Sequence, residues 1–313
     1  MSPRRFLLLC CLLGWSVLSW ADSFPERPLT MIIGYAAGGS TDLQGRVLAQ
    51  VLAEQLGQPV QVRNIPGSGG AASAAMLAGS REQGYVFQFG GSSVNNISPL
   101  LAPTSYDLDS FIYVAGLSLE QPALVTGARG DIRDWPGLLA YLRANPGQVY
   151  VTQAAEDRLL MQAIARREGL QLRIVPTSGG AGMAPLVIAG DALFAYSGGT
   201  HTAYTDSGQM RVLASLADER LLGYPEAPTL RELGYAMGLH TVRIVSVPAD
   251  TPAEQVEVLE RALEAASRDP RFIEVTEERI RQPVTFMRGA AIKPMLTRQM
   301  QEYRQLIDDI GLQ

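Results

Sequence analysis

Ile32-Ile33-Gly34-Tyr35-Ala36-Ala37-Gly38-Gly39-Ser40-Thr41-Asp42 decides how this chain is read. Leu29 to Ile33 is apolar and partly β-branched, the mark of a buried strand. After Asp42, apolar residues recur at Leu43, Val47, Leu48, Val51, Leu52 and Leu56, which is helical spacing. Two adjacent glycines turn the chain between them, and Ser40, Thr41 and Asp42 are all candidate N-caps. Strand, glycine turn and helix N-terminus together offer unpaired backbone N–H groups at the positive end of a helix dipole. Such a turn is an anion site by geometry.

The same unit repeats along the chain. Val60 to Val62 leads to a second glycine turn, Asn64 to Gly70, and a small-residue helix, Ala71 to Ala78. Tyr85 to Phe89 leads to Gly90-Gly91-Ser92-Ser93. Strands at Phe111 to Gly116 and Ala123 to Thr126 follow, then a helix opened by Asp134-Trp135-Pro136-Gly137. The alternation resumes with Val149 to Thr152, a helix over 159–168, Leu172 to Val175, a short helix over 183–188, Ala192 to Tyr196 and Val212 to Leu216. Thr241 to Val247 is one more strand. Thr251-Pro252-Ala253-Glu254 reads as an N-terminus with Thr251 as cap. A last amphipathic helix runs from Lys293 to Ile310. Such alternation predicts α/β architecture with parallel sheets, whose ligands lie at strand carboxyl ends.

Composition narrows the function. The 313 residues are 47% hydrophobic and 18% charged, ordinary globular values. Arg4 and Arg5, the apolar run Phe6 to Leu18 and Ser19-Trp20-Ala21 read as a cleaved signal peptide over residues 1–21. The run is shorter than the roughly 20 residues a membrane span needs. Cys10 and Cys11 are the chain's two cysteines. A mature protein without them excludes cysteine catalysis and suits a bacterial periplasm. Losing two arginines moves the formal charge from −5 to about −7, which disfavours nucleic acid.

The ordered landmarks resemble the periplasmic substrate-binding proteins of tripartite tricarboxylate transporters, the Bug family. They are Phe24 to Pro28 before the Ala-Gly-Gly-Ser-Thr-Asp turn, Leu56-Gly57-Gln58-Pro59-Val60, Asn64 to Gly70, Gly84-Tyr85, and Tyr106-Asp107 with Phe111. Asn145-Pro146-Gly147, Arg220, Pro225, Pro228-Thr229 and Glu232-Leu233-Gly234 complete the set. The resemblance implies a two-lobed clamshell, each lobe a mostly parallel sheet flanked by helices. Residues 22–123 plus 241–313 would form the first lobe and 124–240 the second. It further implies a small organic carboxylate held between the lobes, partly by backbone N–H groups, and delivery to a membrane permease. A monomer without cofactor or metal is expected.

Ligand-binding candidates from the first lobe are Tyr35, Ala37, Gly38, Gly39, Ser40, Thr41, Asp42, Asn64, Ser92 and Ser93. From the second they are Thr152, Gln153, Ser178, Ser197 and His201. Three departures from the family pattern fall here. Gly34 stands where proline is usual. Thr152-Gln153-Ala154-Ala155-Glu156-Asp157 replaces a Ser-x-Gly-x-Gly-Thr loop. Pro176-Thr177-Ser178-Gly179 replaces Pro-Tyr-Lys-Gly. The two acids either start a helix or meet a cationic group of the ligand. Asp42 is a helix cap, a ligand acceptor or both.

Rival readings lack parts. A P-loop needs a lysine before Ser/Thr; Ser40 stands there, and Lys293 is the chain's one lysine. A serine hydrolase needs Gly-x-Ser-x-Gly or a Ser/His/Asp set, and His201 and His240 are the two histidines, without metal-ligand spacing. The expected function is therefore transport binding and not enzymatic. Its alternative is a ligand-binding partner of a signalling receptor.

Overall fold

The computed structural model describes residues 24–309 and 311; the expected signal peptide lies outside them. The chain builds two sheets. The first contains β1 (Leu29–Ile33), β2 (Val60–Asn64), β3 (Val86–Gly91), β4 (Phe111–Leu119), β10 (Val242–Pro248) and β11 (Val284–Arg288), in the order β11-β4-β10-β3-β1-β2. The second contains β5 (Ala123–Gly127), β6 (Gln148–Thr152), β7 (Leu172–Pro176), β8 (Phe194–Ser197) and β9 (Met210–Ser215), in the order β7-β6-β8-β5-β9.

The two-sheet α/β class is as expected, but the sheets are mixed. β1 runs parallel to β2 and β3, and β6 runs parallel to β7 and β8. β10 is antiparallel to β3 and β4, β11 to β4, and β5 to β8 and β9. The physical reason is the chain crossing. β4 leaves the first sheet straight into β5, and β10 brings the chain back, so the crossing strands oppose their neighbours. β11 gave no sequence expectation at all: Val284–Arg288 is a half-buried edge strand with weak patterning.

Helices cover both faces. α1 (Ser40–Leu56) and α9 (Ala253–Ala266) pack on one face of the first sheet, α2 (Ala71–Ala78) and α11 (Gly289–Asp309) on the other. Phe87 and Phe89 on β3 are fully buried against the α1 face; cutting either to alanine costs about 3–5 kcal/mol. A Cβ on Gly45 would sit 2.5 Å from Ile33 Cδ1, so α1 lies close on β1 because residue 45 has no side chain. Leu43, expected on the buried stripe, is instead 47% exposed. In the second lobe, α5 (Trp135–Ala144), α6 (Ala155–Glu168) and α7 (Gly180–Ala189) enclose a core around Tyr150 and Phe194. Tyr303 of α11 packs against that second core, so the C-terminal helix touches both lobes.

Thr251 is not the cap of α9. Pro252 is, and its carbonyl accepts from the Gln255 and Val256 N–H groups. The helix starts one residue later than expected, leaving the buried Thr251 hydroxyl without a partner.

Candidate functional site

The opening turn behaves locally as its sequence demands. Gly38 takes a positive φ of 86°, and Gly39 is the N-cap residue of α1 with no side-chain bond. Asp42 lies in the first turn instead. Its carboxylate accepts from the Gly38 N–H, the Arg46 Nε and the Asn64 Nδ2, each at 2.9 Å. Burial alone would raise this carboxyl; the bonds from Arg46, Gly38 and Asn64 outweigh it and hold the group below its ordinary value. Asn64 also donates to the Tyr35 carbonyl at 2.9 Å. Asp42 and Asn64 are thus committed to tying the two glycine turns together. Ala37 and Gly38 are exposed on the outer side of the turn.

Ser40 points the other way, into the second lobe. Its N–H donates to Thr200 Oγ1 at 3.2 Å and its hydroxyl to the Gly198 carbonyl at 2.9 Å. Arg243 Nη2 donates to Ser40 Oγ at 2.7 Å and to the same Gly198 carbonyl at 3.0 Å. Gln282 Nε2 adds a third donor to that carbonyl, also at 3.0 Å. Four first-lobe donors therefore hold two second-lobe oxygens at the N-terminus of α1. The Ala36 N–H, donating to the Ser178 carbonyl at 2.9 Å, is a further bond between the lobes.

Around this point lies a void of about 20 Å³, bordered by Tyr35, Ser40, Thr41, Glu120, Tyr196 and Arg243, with Gln153 among its other walls. Burial raises the phenols of Tyr35 and Tyr196 well above their ordinary value, so both stay neutral donors. Gln153 Nε2 is fixed by the Tyr196 carbonyl at 2.6 Å. A larger cavity of about 600 Å³ opens on one flank of the cleft, between residues 98–106 and the loop of residues 152–158. Gly69 and Ala154 pinch together at its edge: a Cβ on Gly69 would stand 3.0 Å from Ala154 Cα.

The remaining candidates are buried as structure. Ser92 Oγ accepts the Val242 N–H, and Thr152 Oγ1 donates to the Ala154 carbonyl. Ser197 Oγ accepts the His201 N–H and contacts its Nδ1, each at 3.1 Å. The His201 ring packs on Tyr224 inside the second lobe, 5.2 Å between centroids. Burial, helped by the Arg281 charge, lowers its pKa to about 3. His201, expected in a loop facing the cleft, is thus a buried neutral ring packed within the second lobe. His240 is exposed, 3.9 Å from Asp218.

Glu156 and Asp157 begin α6, as one expectation held, yet both are buried. Asp157 accepts from the Ala154 N–H at 2.7 Å and from the Tyr150 hydroxyl at 2.9 Å. Burial pushes Asp157 up to about 6 against these bonds. Glu156 accepts from Ser93 Oγ, across the lobes, at 2.7 Å. Burial, then the neighbouring Asp157 charge, pushes it up to about 8. Both acids thus have protein partners in this structure.

Residues 45–312 match the model of the tripartite tricarboxylate transporter family receptor. The chain belongs to this receptor family. BugT of Bordetella pertussis is a relative at 29% identity, with 81% of this chain and 80% of BugT covered. MatC of Rhodopseudomonas palustris, solved with bound malate, superposes with a TM-score of 0.81 at 20% identity, over 91% of this chain and all of MatC. A second R. palustris protein, Rpa4515 with adipate, gives 0.83 at 21%, over 92% and 98%. At these identities the two structures show a shared fold. The receptor is a ligand-binding protein and not an enzyme.

Sequence reading of this receptor missed Arg243, Glu120, Gln44, Tyr196 and the second-lobe oxygens of Gly198 and Thr200. One signal was available. Thr241 to Val247 is a buried strand pattern interrupted by a single charge, Arg243, which is 0% exposed. A charge at such a position must have a buried partner, and here that partner is Glu120 Oε1, 3.1 Å from Nε.

Proposed function

We propose that this receptor captures a small organic carboxylate between its lobes, in the periplasm, and delivers it to the permease of a tripartite tricarboxylate-type transporter. One observation carries the reading. The Ser40 N–H, the Ser40 hydroxyl, Arg243 Nη2 and Gln282 Nε2 converge on oxygens, and the oxygens they hold belong to the opposite lobe. Donors gathered at a helix N-terminus beside a guanidinium suit a carboxylate. With the lobes apart, a ligand carboxylate takes these donors, and the 197–201 loop closes over it. Closure then follows from contacts made only in the closed state.

Tyr35, Ser40, Thr41 and Arg243 would contact the ligand from the first lobe, and Gln153 and Tyr196 from the second. The proposed lobes are residues 22–123 plus 241–313 and residues 124–240. In support, β4 ends at Leu119, β5 begins at Ala123 and β10 begins at Val242. Malate and adipate in the two R. palustris relatives support an acid ligand. The protein works as a monomer that enters the periplasm through the signal peptide and has no nucleic-acid partner.

The test is native mass spectrometry of the purified protein, followed by a thermal-shift panel of mono-, di- and tricarboxylic acids with uncharged analogues. At least one acid is expected to raise Tm in a concentration-dependent way, and Arg243→Met should abolish the shift. Stabilisation by an uncharged solute alone would overturn the proposal.

A further inference from the structure

Arg243 lies on β10 and Glu120 directly after the end of β4, at the two places where the chain passes between the lobes. Their side chains are 1% and 8% exposed. The guanidinium is held in place. Nη1 donates to Gln44 Oε1 at 2.8 Å, and Gln44 is anchored in turn by Ser118 Oγ at 3.1 Å and Thr276 Oγ1 at 2.8 Å. Glu120 is less complete. Oε1 accepts from Arg243 Nε, but Oε2 has the Tyr196 hydroxyl at 3.4 Å, longer than a good O–H···O bond. Glu120 borders the same void as Ser40 and Arg243. An under-used carboxylate therefore stands beside a cluster of oxygen-seeking donors.

Charge narrows the occupant further. The Arg243–Glu120 pair is neutral as a unit. The other buried acids near the cleft, Glu156 and Asp157, add no positive charge. A bare carboxylate enclosed here would leave a net negative charge in a low-dielectric interior, which is costly. An acid that also carries an ammonium group cancels one carboxylate charge and offers Glu120 Oε2 a closer donor than the Tyr196 hydroxyl at 3.4 Å.

We propose that Glu120 and Arg243 make this cleft selective for a zwitterionic acid, with Arg243 and Ser40 taking the carboxylate and Glu120 the ammonium group. The proposal rests on the carboxylate reading above and goes beyond it, since malate and adipate carry no ammonium group. It also places the cation receptor at the crossing just after β4 rather than at the acids of the rewritten second-lobe loop.

The test is calorimetric titration of the mature protein with matched pairs at pH 7.5: succinate against aspartate, glutarate against glutamate, and butyrate against 4-aminobutyrate. In at least one pair the amino member should bind about tenfold tighter or more, the worth of one charge-assisted hydrogen bond. Glu120→Gln should reduce that preference to under about threefold. N-acetylation of the preferred ligand should abolish its advantage on the wild type, a control that needs no variant to fold. Plain acids binding as tightly as their amino partners would overturn the zwitterion proposal and leave the carboxylate reading standing. Binding of neither kind would overturn both. A folded Glu120→Gln protein that keeps the full preference would remove Glu120 from the role.

Discussion

Replacing Glu156 by glutamine should flatten the pH dependence of stability above neutrality. Glu156 is buried, bonded to Ser93 across the lobes, and pushed up to about 8 by burial and then by the Asp157 charge. In the unfolded chain a glutamate titrates near its ordinary value of 4.5. Between those two values the folded state holds a proton that the unfolded state has lost, so stability falls as pH rises. Two other groups act at lower pH. Asp157, raised to about 6, works in the same direction between about 4 and 6. His201, lowered to about 3, works in the opposite direction, adding stability as pH rises toward 6.5. Above pH 6.5 the Glu156 contribution stands alone among these three. One group over 1.5 pH units is worth roughly 2 kcal/mol. Urea unfolding of the wild type at pH 6.5, 7, 7.5 and 8 should therefore show a decline on the order of 2 kcal/mol. The Glu156→Gln protein, isosteric with the protonated acid and able to accept from Ser93, should change by less than about 0.5 kcal/mol. Parallel slopes in the two proteins would refute a protonated Glu156 at the lobe interface.

Three further substitutions probe other parts of the structure. Gly69→Ala places a Cβ 3.0 Å from Ala154 Cα at a backbone φ of 64°; it should hold the lobes apart, seen as a larger radius of gyration by small-angle scattering and as ligand affinity weakened about tenfold or more. Gln44→Ala removes partners from Arg243, Ser118 and Thr276 at once, and should cost about 2–4 kcal/mol by denaturant titration. Thr251→Val replaces a buried hydroxyl that has no partner, and should stabilise the protein by about 1 kcal/mol; a loss of that size would mean the hydroxyl is bonded after all.

The repeated strand–turn–helix units were legible because each carries its own local signals. Apolar runs, glycine turns and helical spacing set β1 to β3, α1, α2 and the second-lobe elements without knowledge of the rest. Strand direction was not legible, because β10 and β5 owe theirs to where the chain crosses, which no local pattern encodes. The glycine turn ahead of α1 was legible as a turn, but the bonds its residues make were not. Asp42 and Asn64 looked like ligand groups and turned out to be consumed by Arg46, Gly38 and Tyr35. His201 looked accessible in a glycine-flanked loop and is 2% exposed. The groups that complete the cradle come from positions some 80 and 200 residues away from Ser40, at Glu120 and Arg243. Proximity of that kind is a product of packing.

A crystal structure of the complex with whichever acid gives the largest thermal shift tests the central claim most directly. A carboxylate oxygen is expected within about 3 Å of the Ser40 N–H and of Arg243 Nη2, in the place that the Gly198 carbonyl and Thr200 Oγ1 hold here. An acid seated instead in the 600 Å³ flank cavity, with Ser40 and Arg243 still bonded to the 197–201 loop, would contradict it.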